Sequence, residues 1–541
     1  MKKIFKLCFL ALSLVIAASC DSGFDTLNVS KTGATSVDPA FTLNSAIINS
    51  SPTGSLIYEI AIVQQWFSSN TGVLEGGNFN KVVVNNTPAN WTNYYQNVIK
   101  YTNDVIVRIT NDQKLPPASQ TFGLRTNLLN MARIVQANAF MILTDTYGDI
   151  PYGEAGGGYT AQIFFPKYET QQAIYPKIID ELTAAVAALD PAGKIETADV
   201  LYSGNIAQWK KFGNSILLRA GMRLIKQDLP KATSAINAAV TLNGGVIVTN
   251  ADNAVIRHDA NFVNGIGNTV NGGEAANFYM SDVFVKSLQG TSTLSGANGG
   301  PTILDPRLKA IAVRFVGATS GATQTSGVAT TVPANQYGMP IGSTDGAADV
   351  AAGALPLPGG GTRFAFSQVD RTRLVKRTSP MFLVAAGQNN LLLAEVALRS
   401  LGGLAPAGAN ALFRAGIIAH LDQMASYDAA SAIPVGDADR IAYLADPGTS
   451  LAGVLATDLP KIGYQYWLAS FLHGPEAWAN FRRIGQPALT PNPFSGSAVP
   501  GSFIQRLTYP PSETLVNTKN VTDAITAMGA DALSTKVYWA K

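Results

Sequence analysis

Residues 124–147 read LRTNLLNMARIVQANAFMILTDTY. Leu124, Leu128, Met131, Val135, Ala139 and Ile142 recur at steps of three and four, which is one stripe of a long amphipathic helix. Gly148 and Pro151 end it. The same period continues outward. A second helix runs over about 171–189, with Ile174, Ile178, Leu182, Val186 and Leu189 on one face. A third opens at Asn205, whose side chain can cap the free backbone donors of the first turn, with Gln208 at the third position of a capping-box-like pair. Ile206, Trp209, Phe212, Ile216 and Ala220 form its stripe. Further helices are expected at 233–242, 277–288, 382–401, 409–426, 461–473 and 475–484. Strands are few and short, with 245–248 and 373–376 as candidates. Successive helices joined by short turns are compatible with stacked helical hairpins, so the expected fold is mostly α.

The centre breaks this pattern. Residues 291–362 are rich in Gly, Ala, Ser, Thr and Pro, ending near Pro356-Leu357-Pro358-Gly359-Gly360-Gly361. Loops this long inside a folded body are usually functional or disordered, and the stretch reads as an irregular, loop-rich insertion on the helical scaffold. The body that carries it is expected to be a single domain over 40–541.

The start of the chain carries an address. Met1-Lys2-Lys3 is a positive region, an apolar run follows, and Ala17-Ala18-Ser19 leads straight into Cys20. An ordinary secretory signal needs only the small residues. A cysteine immediately after them is what a lipoprotein signal requires, because its thiol takes the lipid. Residues 1–19 are thus expected to be a signal peptide, Cys20 the lipidation site, and 20–39 a polar lipidated tether. The chain's two cysteines, Cys8 and Cys20, leave the body after residue 20 without a thiol, so no disulfide supports it.

Net charge is +3 and only 14% of the 541 residues are charged. Nucleic-acid binding calls for a clustered basic face, and none is present. His258, His420 and His473 have no metal-ligand spacing, and no His-Glu-x-x-His, Gly-x-Ser-x-Gly or phosphate-loop motif occurs. Asp145 and Asp149 can be read as the paired carboxylates of a glycan hydrolase, although their turn context favours backbone capping. Asp252, Asn253, Asp259 and Asn261 offer oxygens of the right hardness for calcium, without an EF-hand pattern. No enzyme and no cofactor is the primary expectation.

Several segments resemble the SusD/RagB family of outer-membrane lipoproteins, in its SusD-like-2 branch. They are Leu27-Asn28-Val29 with Val37-Asp38-Pro39, then residues 145–151, then Gln208-Trp209-Lys210-Lys211-Phe212 with Leu218-Arg219-Ala220. Asn250-Ala251-Asp252-Asn253-Ala254, Asp305-Pro306-Arg307-Leu308 and Leu393-Ala394-Glu395-Val396-Ala397 follow. Residues 476–485 and Arg506-Leu507-Thr508-Tyr509-Pro510 complete the set. The resemblance implies tetratricopeptide-like helix pairs with long recognition loops. It also implies a cell-surface, outer-membrane location and a SusC-like TonB-dependent transporter as partner. In that arrangement the lipoprotein is a hinged lid that captures an oligosaccharide or a peptide and does no catalysis. A helical-repeat adaptor that binds only protein is the non-enzymatic alternative.

The family motifs are architectural and do not locate a ligand site, so binding residues have to come from physics. Sugars present C–H faces that stack on aromatic rings. The stretch from Trp66 through Phe79 to Trp91 and Tyr94 is dense in rings, Asn and Gly, and Gly72, Gly76 and Gly77 imply an irregular loop. Trp66, Phe79, Trp91 and Tyr94 are therefore candidate ligand contacts, joined by Tyr337 from the central insertion. The bland alternative puts Trp91, Tyr94 and Tyr95 in the core of a helix from about 90 to 110. Glu395 is a charge in an otherwise apolar helix and needs a buried partner, expected to be Arg482 or Arg483. Asp25-Thr26-Leu27 looks like an O-glycosylation sequon at Thr26.

Overall fold

The computed structural model of the chain describes residues 37–72, 74–357 and 360–541. The expected signal peptide, Cys20, Thr26 and nearly all of the tether lie outside these residues. Thirteen helices of eight or more residues occur among those described. They are α1 (Pro39–Asn49), α2 (Lys100–Gln113), α3 (Thr126–Tyr147), α4 (Gln171–Ala188), α5 (Ile206–Leu224), α6 (Leu229–Thr241) and α7 (Asp345–Gly353). The rest are α8 (Ala386–Leu398), α9 (Ala409–Gln423), α10 (Ala438–Ala445), α11 (Leu455–Ala469), α12 (Gly474–Ile484) and α13 (Thr518–Met528).

The apolar stripes pair these helices into hairpins. α1 packs on α2, α2 on α3, α3 on α4, α4 on α5 and α5 on α6; α8 packs on α9 and α11, and α11 on α12. In α3 the stripe begins at Leu128, because Leu124 stays outside the helix and exposed. Asn205 caps α5, its Oδ1 accepting from the Gln208 backbone N–H at 3.2 Å. The Gln208 side chain does not complete a capping box; it donates to Ala251 O at 2.9 Å. The chain between α12 and the C-terminus folds back on the end of α3, where Arg506 Nε donates to Tyr147 O at 2.9 Å.

Among the described residues, four small antiparallel sheets join separate segments. β1 (Trp66–Ser68) pairs with β5 (Phe278–Met280), β2 (Ile150–Pro151) with β3 (Tyr168–Glu169), and β4 (Ala254–Ile256) with β9 (Met381–Val384). β6 (Ala312–Val316) lies between β7 (Val328–Thr330) and β8 (Gln368–Val369). Two expected helices are thereby shortened at their starts. Residues 278–280 are β5, and Ser281 then caps a short helix by accepting from Phe284 N–H at 3.1 Å. Residues 381–384 are β9, ahead of α8.

Neither expected strand forms. Residues 245–248 satisfy their backbone through helix side chains: Asn214 donates to Gly245 O, Ser215 Oγ accepts from Ile247 N–H, and Asn389 donates to Ile247 O. Residues 373–376 wrap around Asp370 as a turn. The central insertion holds β6, β7 and α7 and builds a second small core. Ala348 and Ala352 of α7 meet Phe67, Tyr279, Met339 and Phe366 there.

Candidate functional site

Four of the five rings singled out as ligand contacts are buried. Trp66 lies in β1, edge-to-face on Phe278. Phe79 packs against Phe494 in a tilted pair with centroids 4.5 Å apart. Trp91 sits among Tyr95, Tyr147, Tyr168 and Tyr509. Tyr94 donates its hydroxyl to Ser50 O at 3.1 Å. Ligand contact for Trp66, Phe79, Trp91 and Tyr94 is therefore corrected to core packing: all four side chains are buried, at 6% exposure or less. Tyr337 is half-buried, with the Arg314 guanidinium 5.3 Å from its ring centre.

The segment that holds Trp66 and Phe79 does meet the insertion. Ser69 Oγ donates to Asp345 Oδ1 at 2.7 Å, and Asn78 exchanges bonds with Ser343 O and Gly342 N–H. Arg363 bridges Asp349 and Asp345 at the rim and lies over Phe364. Beside this junction Gln64, Asp282, Pro340, Ile341 and Thr490 line a cleft of about 280 Å³.

A cluster of exposed rings lies elsewhere. Tyr159, Phe164 and Phe165 are 92%, 69% and 58% exposed, all on the loop from Gly156 to Pro166. Both ends of that loop are pinned. Asn103 of α2 donates to Gly156 O at 2.9 Å, Asn517 to Pro166 O at 2.9 Å, and Asn520 of α13 to Phe165 O at 3.1 Å. Next to it, between β3 and α13, lies a cleft of about 290 Å³ lined by Lys167, Tyr168, Thr170, Lys519, Asn520 and Asp523. Burial and the neighbouring Glu513 push the Tyr168 phenol well up, so it stays protonated and donates to Glu513 at 2.8 Å. Rings that can stack, beside amides, hydroxyls and mixed charges, suit a neutral polyhydroxylated ligand. A signal for this loop stands in the sequence. Gly156-Gly157-Gly158 precedes Tyr159, Pro166 follows Phe165, and no helical stripe claims the rings between.

The carboxylates considered for catalysis do not share a site. Asp145 is buried and accepts from Tyr175 Oη, from Trp539 Nε1 at 2.7 Å and from Arg223 Nε at 3.3 Å. It lines a narrow void of about 10 Å³. Asp149 instead lines the cleft beside α13 and accepts from the Gln171 backbone N–H at 2.8 Å. Burial raises the pKa of both. Their oxygens join α3 to α4 and, at Asp145, to the C-terminal segment, which leaves no pair flanking a substrate.

The oxygens considered for calcium are likewise engaged. Asp252 pairs with Lys211, Asn253 accepts from Ala386 N–H, and Asp259 accepts from Asn261 and Phe262 N–H. Among the described residues no group of three or more His, Cys, Asp and Glu is placed to hold a metal.

Glu395 is fully buried and receives two hydrogen bonds from Arg483, at 2.8 and 2.6 Å, with a third from Arg399 at 2.9 Å. Burial opposes its ionisation, but the two guanidiniums outweigh that and hold the carboxyl below its ordinary pKa. Arg482 does not take part. Its guanidinium lies 3.7 Å from the Trp478 ring centre and donates to Gln505 O.

The geometry is thus that of a helix-hairpin scaffold with a pinned, ring-bearing loop, its buried carboxylates tied into the fold. Among the described residues no helix is long and apolar enough to cross a membrane. A family model described as "Starch-binding associating with outer membrane" matches residues 32–510. The chain belongs to this SusD-like family of nutrient-binding, outer-membrane-associated proteins.

Solved structures agree. A chitin-binding protein is 27% identical with a TM-score of 0.74, over 93% of this chain and 100% of that one. A Bacteroidetes SusD-like protein is 23% identical with a TM-score of 0.75, over 93% and 100%. A chitin-binding SusD homologue from Flavobacterium johnsoniae is 21% identical with a TM-score of 0.69, over 93% and 98%. No curated protein sequence matches significantly.

Proposed function

We propose that this protein captures an oligosaccharide at the cell surface and, as a lipid-anchored lid, passes it to a TonB-dependent outer-membrane transporter. The observation that carries the reading is the 27%-identical chitin-binding relative that this chain matches along its whole length. Chains of N-acetylglucosamine are accordingly the first ligand to try. Cys20 is the anchor, and the transporter is a SusC-like β-barrel. The ligand lies on the 156–166 loop, against Tyr159, Phe164 and Phe165, and reaches into the cleft lined by Lys167 and Asn520; Tyr337 and the insertion supply a further wall at a distance from it. No bond is broken: the ligand leaves the lid unchanged.

Calorimetry with chitohexaose, and with starch and peptide panels beside it, tests the ligand. Saturable binding of a glycan with no hydrolysis is expected. Binding of peptides alone would overturn the reading. Co-purification of a TonB-dependent barrel with the native lipoprotein tests the partner, and its absence from outer-membrane extracts would remove the lid.

A further inference from the structure

A third cleft, of about 390 Å³, is bounded by α1, by the turn after it and by the loop that follows β4. Its volume is at the small end of the range for small-molecule sites, about 300–1,000 Å³. Ile48, Asn49, Ser51, Asn93, His258 and Phe262 are among its lining residues, and no Lys, Arg, Asp or Glu lines it.

Two buried polar atoms on these residues lack a hydrogen-bond partner among the described residues: His258 Nε2 and Ser51 Oγ. His258 Nδ1 is 2.9 Å from Phe262 O. A carbonyl oxygen only accepts, so Nδ1 carries the proton and Nε2 of the neutral ring is left as an acceptor. Burial holds the imidazole pKa below its ordinary value, which keeps the ring neutral near pH 7. A buried acceptor without a donor is unfavourable, and a ligand O–H or N–H relieves it.

The rim complements this chemistry. Phe262 is 55% exposed, with Val263 beside it. Its position is fixed, since Asp259 Oδ1 accepts from the N–H groups of Asn261 and Phe262, both at 2.8 Å. Asp259 N–H closes the loop on Phe262 O at 3.1 Å. Asn264 anchors the far side, donating to Ser379 O at 3.0 Å. An exposed ring fixed next to an unpaired acceptor and an unpaired hydroxyl, in an uncharged cleft, matches a sugar unit with one apolar face and several donors.

We propose that this cleft is a second carbohydrate site for a neutral sugar unit. The unit stacks on Phe262 and donates a hydroxyl or acetamido hydrogen to His258 Nε2, with Ser51 Oγ as second partner. The inference rests on the glycan reading above, and it adds a site independent of the 156–166 loop. Two binding events per chain then allow a long glycan to be held at two points.

The test is calorimetry and native mass spectrometry of the full-length mature protein with chitohexaose and with N-acetylglucosamine. Two sites are expected in the unaltered chain, and one in a Tyr159→Ala, Phe164→Ala, Phe165→Ala variant. On that background, Phe262→Ala removes the stacking face of an exposed ring. His258→Asn keeps a donor near the Nδ1 position and removes the Nε2 acceptor. Each should weaken the residual binding tenfold or more with an unchanged melting temperature. Residual binding that both substitutions leave intact overturns the second site, as does loss of all binding in the loop variant; either result leaves the glycan reading standing. A full-length chain that binds neither sugar overturns both.

Discussion

The hairpin scaffold and the part of the central insertion around α7 hold themselves together differently. In the scaffold, carboxylates and guanidiniums are paired in the dry core: Arg125 with Glu196, Arg223 with Asp145 and Glu476, and Arg483 with Glu395. The start of the insertion follows the scaffold, with the buried pair Asp305 and Arg307, but around α7 Arg363 meets Asp345 and Asp349 at a partly exposed rim, and the second core is small. A buried pair contributes little net stability compared with an apolar replacement, yet losing one member is costly. It therefore fixes which helix faces which. The part of the insertion around α7 and the 156–166 loop carry few such constraints and can present side chains to solvent.

The sharpest break in this comparison comes from Glu395→Ala. Removing the carboxylate strands Arg483 in the core, so stability should fall by about 3–5 kcal/mol, read by urea denaturation. A midpoint that does not move would contradict the pairing.

Glu59 supplies a pH test inside the scaffold. Its buried carboxyl is pushed up to about 7 from 4.5, chiefly by burial, while Asn90 donates to it at 2.5 Å. Between those values the folded chain keeps a proton that the unfolded chain has released, so stability is lost as pH rises from 4.5 to 7. Glu59→Gln lacks this loss. The advantage of the variant should therefore grow across that window by up to about 1.4 kcal/mol per pH unit and then level off. A gap that stays constant with pH would show that the carboxyl ionises normally.

Smaller effects follow at the edges. Asn205→Ala removes the α5 cap and should lower stability by about 1 kcal/mol, seen as a modest drop in melting temperature. Arg363→Ala, at the insertion rim, should lower it by less than about 1 kcal/mol, because exposed pairs are screened by solvent. If Arg363→Ala proved as damaging as Glu395→Ala, the distinction between the two regions would fail.

The sequence made the scaffold readable because an amphipathic stripe belongs to one element: Leu128 to Ile142 in α3 and Ile206 to Ala220 in α5 announce themselves locally. Residues 278–280 and 381–384 resisted, since their partners lie about two hundred and about one hundred thirty residues away in β1 and β4, and a short apolar run suits helix or strand alike. Glu395 declared its need for a partner, but Arg482 and Arg483 point about 100° apart on a helix, and only packing selects one. The site was least legible. Ring density drew attention to 66–94, whereas exposure is a tertiary property, and it places a cluster of exposed rings at Tyr159, Phe164 and Phe165.

The central claim is that a rigid scaffold presents those three rings to a glycan. Chitohexaose affinity, measured together with the melting temperature, tests it in the Tyr159→Ala, Phe164→Ala, Phe165→Ala variant. Binding at the 156–166 loop should weaken by about tenfold or more, equivalent to at least about 1.4 kcal/mol, at an unchanged melting temperature. Full affinity in the variant would contradict it.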